Sequence, residues 1–489
     1  MTVTTFLFFI FAGFAAVIFR FVPQRYKLLT LLAFSLAFLL SWSWQFVLSL
    51  TALTLINYWI GLHLNPENKK NSLWLYTGIA VNILAILVFK YSNFYLPRLA
   101  ALFGQNSDGL KLLVPIGLSF MAVQWIGYLM DVSNGRLQAQ NNLVEFSLLG
   151  FYFPRVISGP VEKAKQFFAR LENPLTVDRP LLERSAVLIV SGLVRKLIFA
   201  DPIFNLIPPE AFTTPANYSG QQLFFWLIGY AFALYNDFAG YTLIIRGVSL
   251  WFGIELTNNF NLPYLSRSFS EFWSRWHISL SNWLRDYIYL PLSWKIMHRR
   301  SKIKVWVNMV VPPLITMGVS ALWHGISWNM LVWGGLHALY QIVEYMSQKF
   351  HPQPPLNERP RWQQALNTGV TFLFAILAWV PFKMPIGTAV AYWGSLLHWT
   401  LPDLSQYMRA VKNEVPFPAV TGTQFLNLTL AVLLVLAICF DLAQNRKKSE
   451  TFIQSWPRWA QVLMVVVLLF VIILATYANN VAPFVYQSF

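Results

Sequence analysis

The chain has 489 residues, of which 56% are hydrophobic, 17% aromatic and only 11% charged. Soluble domains carry about 25% charged residues, so this composition leaves too little polar surface to close around one water-soluble core and predicts a polytopic membrane protein. The net charge of +16 comes from 36 basic and 20 acidic residues clustered between apolar runs, the pattern of membrane topology and anionic-lipid contact rather than of nucleic-acid binding.

Runs such as Gln461 to Ala478 are continuously apolar, which predicts helices and not the alternating strands of a β-barrel. In chain order the runs lie near 3–19, 28–44, 46–62, 73–90, 112–130, 143–157, 185–206, 222–240, 242–254, 305–323, 328–346, 366–381, 386–401, 424–442 and 460–478. Several fall short of the ~20 residues a span needs, so the expectation is an all-α polytopic protein with about 11 to 13 full spans plus re-entrant or amphipathic helices. Neither an internal repeat nor a Pro/Gly/Ser linker divides the chain, and 1–489 reads as one domain.

No basic residue precedes Arg20, so a signal peptide's charged leading region is missing and 3–19 reads as a retained first helix. Arg20, Arg25 and Lys27 follow it, which places the N-terminus outside. Further basic clusters at Lys69 and Lys70, Arg155 to Arg170, Lys295 to Lys304, Lys349 to Arg361 and Arg446 to Arg458 mark cytoplasmic segments. Gly159 to Leu171, GPVEKAKQFFARL, reads as an amphipathic helix on the inner surface. Leu401 to Thr423 is rich in proline and polar residues and reads as an outer loop. Lys90 and Asp131 lie at run ends, where snorkelling accounts for them.

Cys439 is the only cysteine, which excludes a disulfide within the chain and a Cys-based zinc site. No HExxH, GxSxG or GxxxxGK[ST] occurs, so zincin, α/β-hydrolase and P-loop chemistry lack sequence support, and no metal site is predicted.

Polar residues inside the apolar runs carry the functional signal, because a charge at the centre of a membrane helix costs about 2.5–3.5 kcal/mol and must pair or face water. Asn236 and Asp237 lie in ALYNDFAGY, followed by Arg246 and Glu255, and Asp237 with Arg246 reads as a structural pair. Ser270 to Leu292, SEFWSRWHISLSNWLRDYIYLPL, placed on one helix, gathers Arg275, Ser279, Asn282 and Asp286 in a polar stripe. His277 then falls on the opposite, apolar face with Trp273, Leu280, Leu284 and Tyr287. It is either a buried donor of an interfacial helix or an imidazole presented to the interior.

The second histidine signal is SALWHGISWNMLVWGGLHALY, Ser320 to Tyr340. Gly325 and Ser327 interrupt the helix just after His324. Non-helical backbone at membrane depth is tolerated where it lines a cavity, and an intramembrane imidazole that titrates near neutrality is a functional candidate. The bland alternative is a histidine bonded to a neighbouring helix. His337 lies off the His324 face and reads as structural.

These segments together resemble the membrane-bound O-acyltransferase family, and within it the bacterial alginate O-acetyltransferase branch. The resemblance is carried by PIGLSFMAVQWIGYLMDV from Pro115, FPRVISGPV from Phe153, YNDFAGYTLIIRGVSLWFGIELTNNFNLPYLSRS from Tyr235, the RWH and LWHG segments, and the terminal APFVYQSF. Two places depart from the branch: SWKIMHRRSKIK where a Gly-Gly-Asn-Arg turn is usual, and VSNGRLQ where Tyr-Arg-Gly is more usual. The departures bear on donor-side loops and partner docking.

The resemblance implies a ring of helices around a thin reaction chamber, in the cell membrane. It implies transfer of an acyl group from a cytoplasmic thioester donor (acetyl-coenzyme A or an acyl carrier) to an acceptor at the outer face, with no bound cofactor. The acceptor would be an envelope polysaccharide or an outer-face partner protein that completes the transfer. The family's two active-site histidines map onto His324 and His277. His324 would act as general base, since an imidazole near pKa 6.5 suits that task. His277 would polarise the acyl carbonyl. Trp276 and Trp323 would wall the chamber against water, and Asn236 and Asp237 are further substrate-binding candidates. The basic patch Lys295 to Lys304 would draw an acidic donor. Alternatives are D-alanyl transfer to teichoic acid from a carrier protein, acylation of a lipid or secreted protein, and a transporter without chemistry, which would carry paired discontinuous helices and inverted repeats.

Overall fold

The computed structural model describes residue 3 and residues 5–67, 69–105, 112–298, 300, 303–399 and 422–477. Residues 401–421 of the outer loop expected over Leu401 to Thr423, the terminal APFVYQSF and the basic residues Arg299 and Lys302 lie outside the described residues, and Gly422 and Thr423 already belong to a helix. Among the described residues the chain is helical, with a single isolated bridge between Phe260 and Trp276.

The N-terminal third comprises α1 Phe6–Phe21, α2 Lys27–Leu40, α3 Trp44–His63 and α4 Asn71–Leu102. Asn57 of α3 and Asn82 of α4, both buried, exchange amide hydrogen bonds at 2.6 and 3.3 Å, the interhelical pairing favoured where no water competes. Next come α5 Leu118–Ser133, α6 Leu143–Phe151, α7 Ala164–Glu172 and α8 Arg179–Leu193. A wide π-helical turn, Val194–Ala200, continues α8 into α9 Asp201–Leu206. The helix α10, Gly220–Leu250, is followed by short helices α11 Phe269–Arg275, α12 Ile278–Leu284 and α13 Leu290–Met297. The remainder is α14 Lys304–His324, α15 Trp328–Phe350, α16 Arg361–Lys383, α17 Ile386–Ser395, α18 Gly422–Lys447 and α19 Arg458–Tyr477.

Among the described residues, five helices are long and apolar enough to cross a membrane: α3, α4, α14, α16 and the Gln424–Lys447 part of α18. Two shorter apolar stretches, α1 and Arg458–Leu468, accompany them. Among the described residues the 11 to 13 expected full spans thus appear as these five helices, two further long ones, α10 and α15, and a set of shorter ones. The runs 222–240 and 242–254 are one helix, α10, because the polar residues between and within them are buried and bonded. The amphipathic helix expected from Gly159 begins only at Ala164 (α7), buries Ala164, Phe167, Phe168 and Leu171 and exposes Lys165 and Gln166. Gly159 to Glu162 is buried, and Pro160 cannot donate a helical hydrogen bond there.

Five charged positions correct the sequence expectations. Asp237 pairs with Lys196 at 2.7 Å and not with Arg246. Arg246 instead forms a two-pronged pair with Glu450 at 2.7 and 2.8 Å. Arg155, expected on the cytoplasmic surface, is 2% exposed and lies 4.4 Å above the Phe167 ring. Asp131 is buried and accepts a 2.6 Å bond from the Tyr287 hydroxyl. Such partners lie tens to hundreds of residues away, beyond the reach of local periodicity. The fifth, Lys90, is well inside α4 and bonds the end of α14.

Candidate active site

The chain between α10 and α12 is the first half of the site. The single helix expected over Ser270 to Leu292 is broken: α11 ends at Arg275, and His277 takes a left-handed conformation, φ 44° and ψ 52°, before α12 begins. A residue with a Cβ rarely adopts that region, and when it does the surroundings over-determine it. Here Asn259 supplies the clamp. Its backbone carbonyl accepts from Ile278 N–H at 3.0 Å, and its Oδ1 accepts from Ser279 N–H at 3.2 Å and the Ser279 hydroxyl at 2.6 Å. Asn261 N–H donates to the Arg275 carbonyl at 3.0 Å, and Val161 N–H donates to the Ser279 hydroxyl at 2.9 Å.

The expected polar stripe is therefore divided, with one member buried and the others half-buried. Ser279 is buried in the clamp, Arg275 pairs with Glu271 at 2.6 Å, and Asp286 is bonded by Lys163 and by Arg285. Burial alone would raise the Asp286 carboxyl, but the hydrogen bonds from Arg285 and Lys163, then their charges, outweigh it and hold the group below the usual carboxylate range.

The second half is the hairpin of α14 and α15. As the sequence predicts, the helix stops at His324 and restarts at Trp328. The two helices approach closely at Gly334, where a Cβ would lie 2.6 Å from the Met317 carbonyl oxygen. Gly117 plays a similar part at the start of α5: it has φ +80°, and a Cβ would meet the Val156 carbonyl oxygen at 2.0 Å. That turn places Ser119, whose carbonyl accepts the Trp323 indole N–H at 3.2 Å.

These two halves meet. His277 is 1% and His324 6% exposed. The Trp323 ring lies 6.1 Å from the His277 ring and 4.8 Å from the His324 ring, centroid to centroid. Phe120 and Phe238 complete the His277 side at 6.4 and 4.9 Å, and Trp333 and Phe382 the His324 side at 5.1 and 5.3 Å. Two imidazoles 47 positions apart in sequence are thus brought into one buried aromatic cluster.

The other predicted residues lie elsewhere. Trp276, 1% exposed, is packed with Phe260, Phe272 and Trp379 at 5.1, 5.7 and 4.8 Å, so it supports the turn before His277 from behind. Asn236 and Asp237 are fully buried and face the π-helical turn: Asn236 accepts from Arg195 at 2.7 Å and Asp237 from Lys196 at 2.7 Å. Their neighbour Phe238 is the α10 residue that meets His277. The same network joins Lys196 to Asp201 at 2.8 Å and Arg195 to Asp441 at 2.7 Å. His337 is fully buried among Phe272, Trp273, Trp333 and Tyr340. The sequence reading missed Asn259 and Lys90. The signal for Asn259 was the run TNNFN in a segment otherwise apolar. Lys90 offered only its charge.

A cavity of about 280 Å³ lies beside the chamber, with Trp273, Ser281, Asn282, Thr316, Gln341 and Tyr345 in its wall. Thr316, Ser320 and His324 recur every fourth residue on α14, all buried, and so share one face. The helix rise puts the cavity wall at Thr316 roughly 12 Å along the axis from His324. A larger cavity, about 520 Å³, lies between α1, residues 174–177 and Trp251, away from both histidines.

Comparison with known proteins agrees with this architecture. The chain is 30% identical over 491 residues to a probable alginate O-acetylase of Pseudomonas putida, covering 95% of both chains. It is 26% identical over 508 residues to a peptidoglycan O-acetyltransferase of Helicobacter pylori, covering 96% of this chain and 92% of the relative. A teichoic acid D-alanyltransferase of Streptococcus thermophilus is 29% identical over 285 residues, which is 55% of this chain and 68% of that protein. Residues 132–382, which contain both imidazoles and Trp323, match the membrane-bound O-acyltransferase family, and the chain is therefore a member of that family, a multi-pass membrane acyltransferase.

Proposed function

We propose that the protein moves an acetyl group from a cytoplasmic thioester to a hydroxyl of an envelope polysaccharide, or to an outer-face partner that completes the transfer, with His324 as general base. The observation that carries this reading is the pair of buried imidazoles on either side of Trp323, at the point where α14 and α15 break. His324 takes the proton of the acceptor hydroxyl as its oxygen bonds the acyl carbon. The resulting tetrahedral oxyanion accepts a hydrogen bond from His277. It collapses with cleavage of the carbon–sulfur bond, and the imidazolium of His324 returns the proton to the departing thiolate, leaving ester and thiol. Positioned base catalysis of this kind supplies about 10²- to 10⁴-fold in rate.

The aromatic walls favour transfer over hydrolysis by keeping water from the thioester. The cavity at Thr316 and Gln341 suits the donor, because the buried Thr316–Ser320–His324 face leads from its wall to the base. An acetyl group fits the relatives that match this chain from end to end; the D-alanyltransferase relatives cover about half of it.

The test is alkali-labile acetate and alanine released from purified envelope polymers of a deletion strain carrying the wild-type or the His324→Ala gene at equal protein level. Acetate present with the wild type and lost with His324→Ala supports the reading and identifies the polymer. Alanine lost instead moves the protein to teichoic acid D-alanylation. Equal acetate in both strains removes His324 from the chemistry.

A further inference from the structure

An α-helix leaves its last four carbonyls without helical partners, and a buried end must find donors for them. The buried end of α14 is such a case, because His324 is its last residue. Its four carbonyls are each accounted for. Ala321 accepts from Gly325 N–H at 3.0 Å. Leu322 accepts from the Tyr91 hydroxyl at 3.0 Å. Trp323 and His324 both accept from the Lys90 ammonium, at 3.2 and 3.4 Å. Three of the four carbonyls are therefore served by two adjacent residues of α4, more than 200 positions earlier in the chain.

We propose that Lys90, assisted by Tyr91, is a positioning residue for His324. A lysine well inside an apolar helix is costly, and at a run end it would reach for the interface. Here it turns inward to the negative end of the α14 dipole, where a cation is favoured. The same bonds fix the backbone of Trp323 and His324 just before the chain leaves the helix at Gly325. Trp323 Nε1 ties this terminus to Ser119 of α5, and the α4 donors hold the three carbonyls from which the helix end, and with it the imidazole, takes its place along the axis. Misplacement of a reacting group by about 1 Å costs on the order of 10²-fold.

This inference rests on His324 being the base, and the experiment separates the two. In the deletion strain, the initial rate of acetate and alanine incorporation into envelope polymer after induction is measured for wild type, His324→Ala, Lys90→Met, Lys90→Arg and Tyr91→Phe. Membrane level and thermal unfolding in detergent are measured alongside. We expect Lys90→Met to lose about 10- to 100-fold in rate at unchanged level and unfolding temperature, Lys90→Arg to recover most of it, and Tyr91→Phe to lose about threefold. Wild-type rate in Lys90→Met with none in His324→Ala overturns the proposal and spares the base assignment. Lys90→Arg as inactive as Lys90→Met at equal level also overturns it. Full activity in His324→Ala overturns both. If Lys90→Met does not reach the membrane, Tyr91→Phe decides: no loss of rate overturns the proposal.

Discussion

His277 and His324 contact the same indole: Trp323 lies between them, 6.1 Å from one ring and 4.8 Å from the other. Its N–H is tied to the Ser119 carbonyl at 3.2 Å, and its own carbonyl to Lys90. A residue of the second half thus reaches across to the imidazole of the first.

The first prediction concerns that indole. Trp323→Ala should open the chamber to water and uncouple the imidazoles. Transfer should fall about 10²-fold or more, and the ratio of thioester hydrolysis to transfer should rise. Released acetate and thiol counted against esterified acetate in membranes supplied with acetyl-coenzyme A report both. A fall in transfer with an unchanged ratio would leave Trp323 a packing residue only.

His277→Ala should cost about 10²- to 10³-fold, the loss typical of one oxyanion donor. Combined with His324→Ala it should add almost nothing, because groups acting on one transition state are not additive. The four rates of this double-mutant cycle check it, and independent, multiplying losses would separate the two histidines.

Asn259→Ala removes the acceptor of the Ser279 N–H and hydroxyl. The cost is about 1 to 3 kcal/mol of stability, and the left-handed His277 turn loses its lock. Detergent melting combined with the acylation rate is the measurement. A stability loss with a fully wild-type rate per folded molecule would show that the turn holds without its clamp.

Glu450 gives a pH dependence. Burial by itself raises its carboxyl, but hydrogen bonds from Arg246, the charge of Arg246, and then Arg184 outweigh burial and hold it below the usual glutamate range. A depressed folded value means that the contribution to stability is present above the unfolded value of about 4.3 and is lost as pH falls through the folded one. Glu450→Gln should therefore be about 2 kcal/mol less stable at neutral pH, and the gap should close below about pH 4. Melting curves of both proteins from pH 3 to 8 test it; a constant gap would contradict the pairing.

The membrane class, the helical content and the break after His324 were legible in the sequence because composition and Gly325 act locally. The clustering of His277 with His324 came through family resemblance, since helical periodicity alone put His277 on one face of a continuous helix. That expectation failed at Trp276, where tertiary bonds from Asn259 outweigh the local preference for helix. The charge pairs failed for a related reason. Arg246 finds Glu450 and Asp237 finds Lys196, and nothing in a local window separates those partners from nearer ones.

The buried ion network has a consequence for how the chain is made. Synthesis runs from the N-terminus, so Arg195 and Lys196 enter the bilayer before any of their acidic partners on α10 and α18. Lys196 meets Asp201 within the same turn and Asp237 one helix later. Arg195 has the Asn236 amide and the Tyr235 ring on α10, and meets the Asp441 carboxylate only 246 positions on. The last part of the chain is thus the counter-ion of an early one, and a nascent molecule stalled before α18 carries an uncompensated guanidinium in its interior, a mark by which membrane quality control could tell it from a finished one.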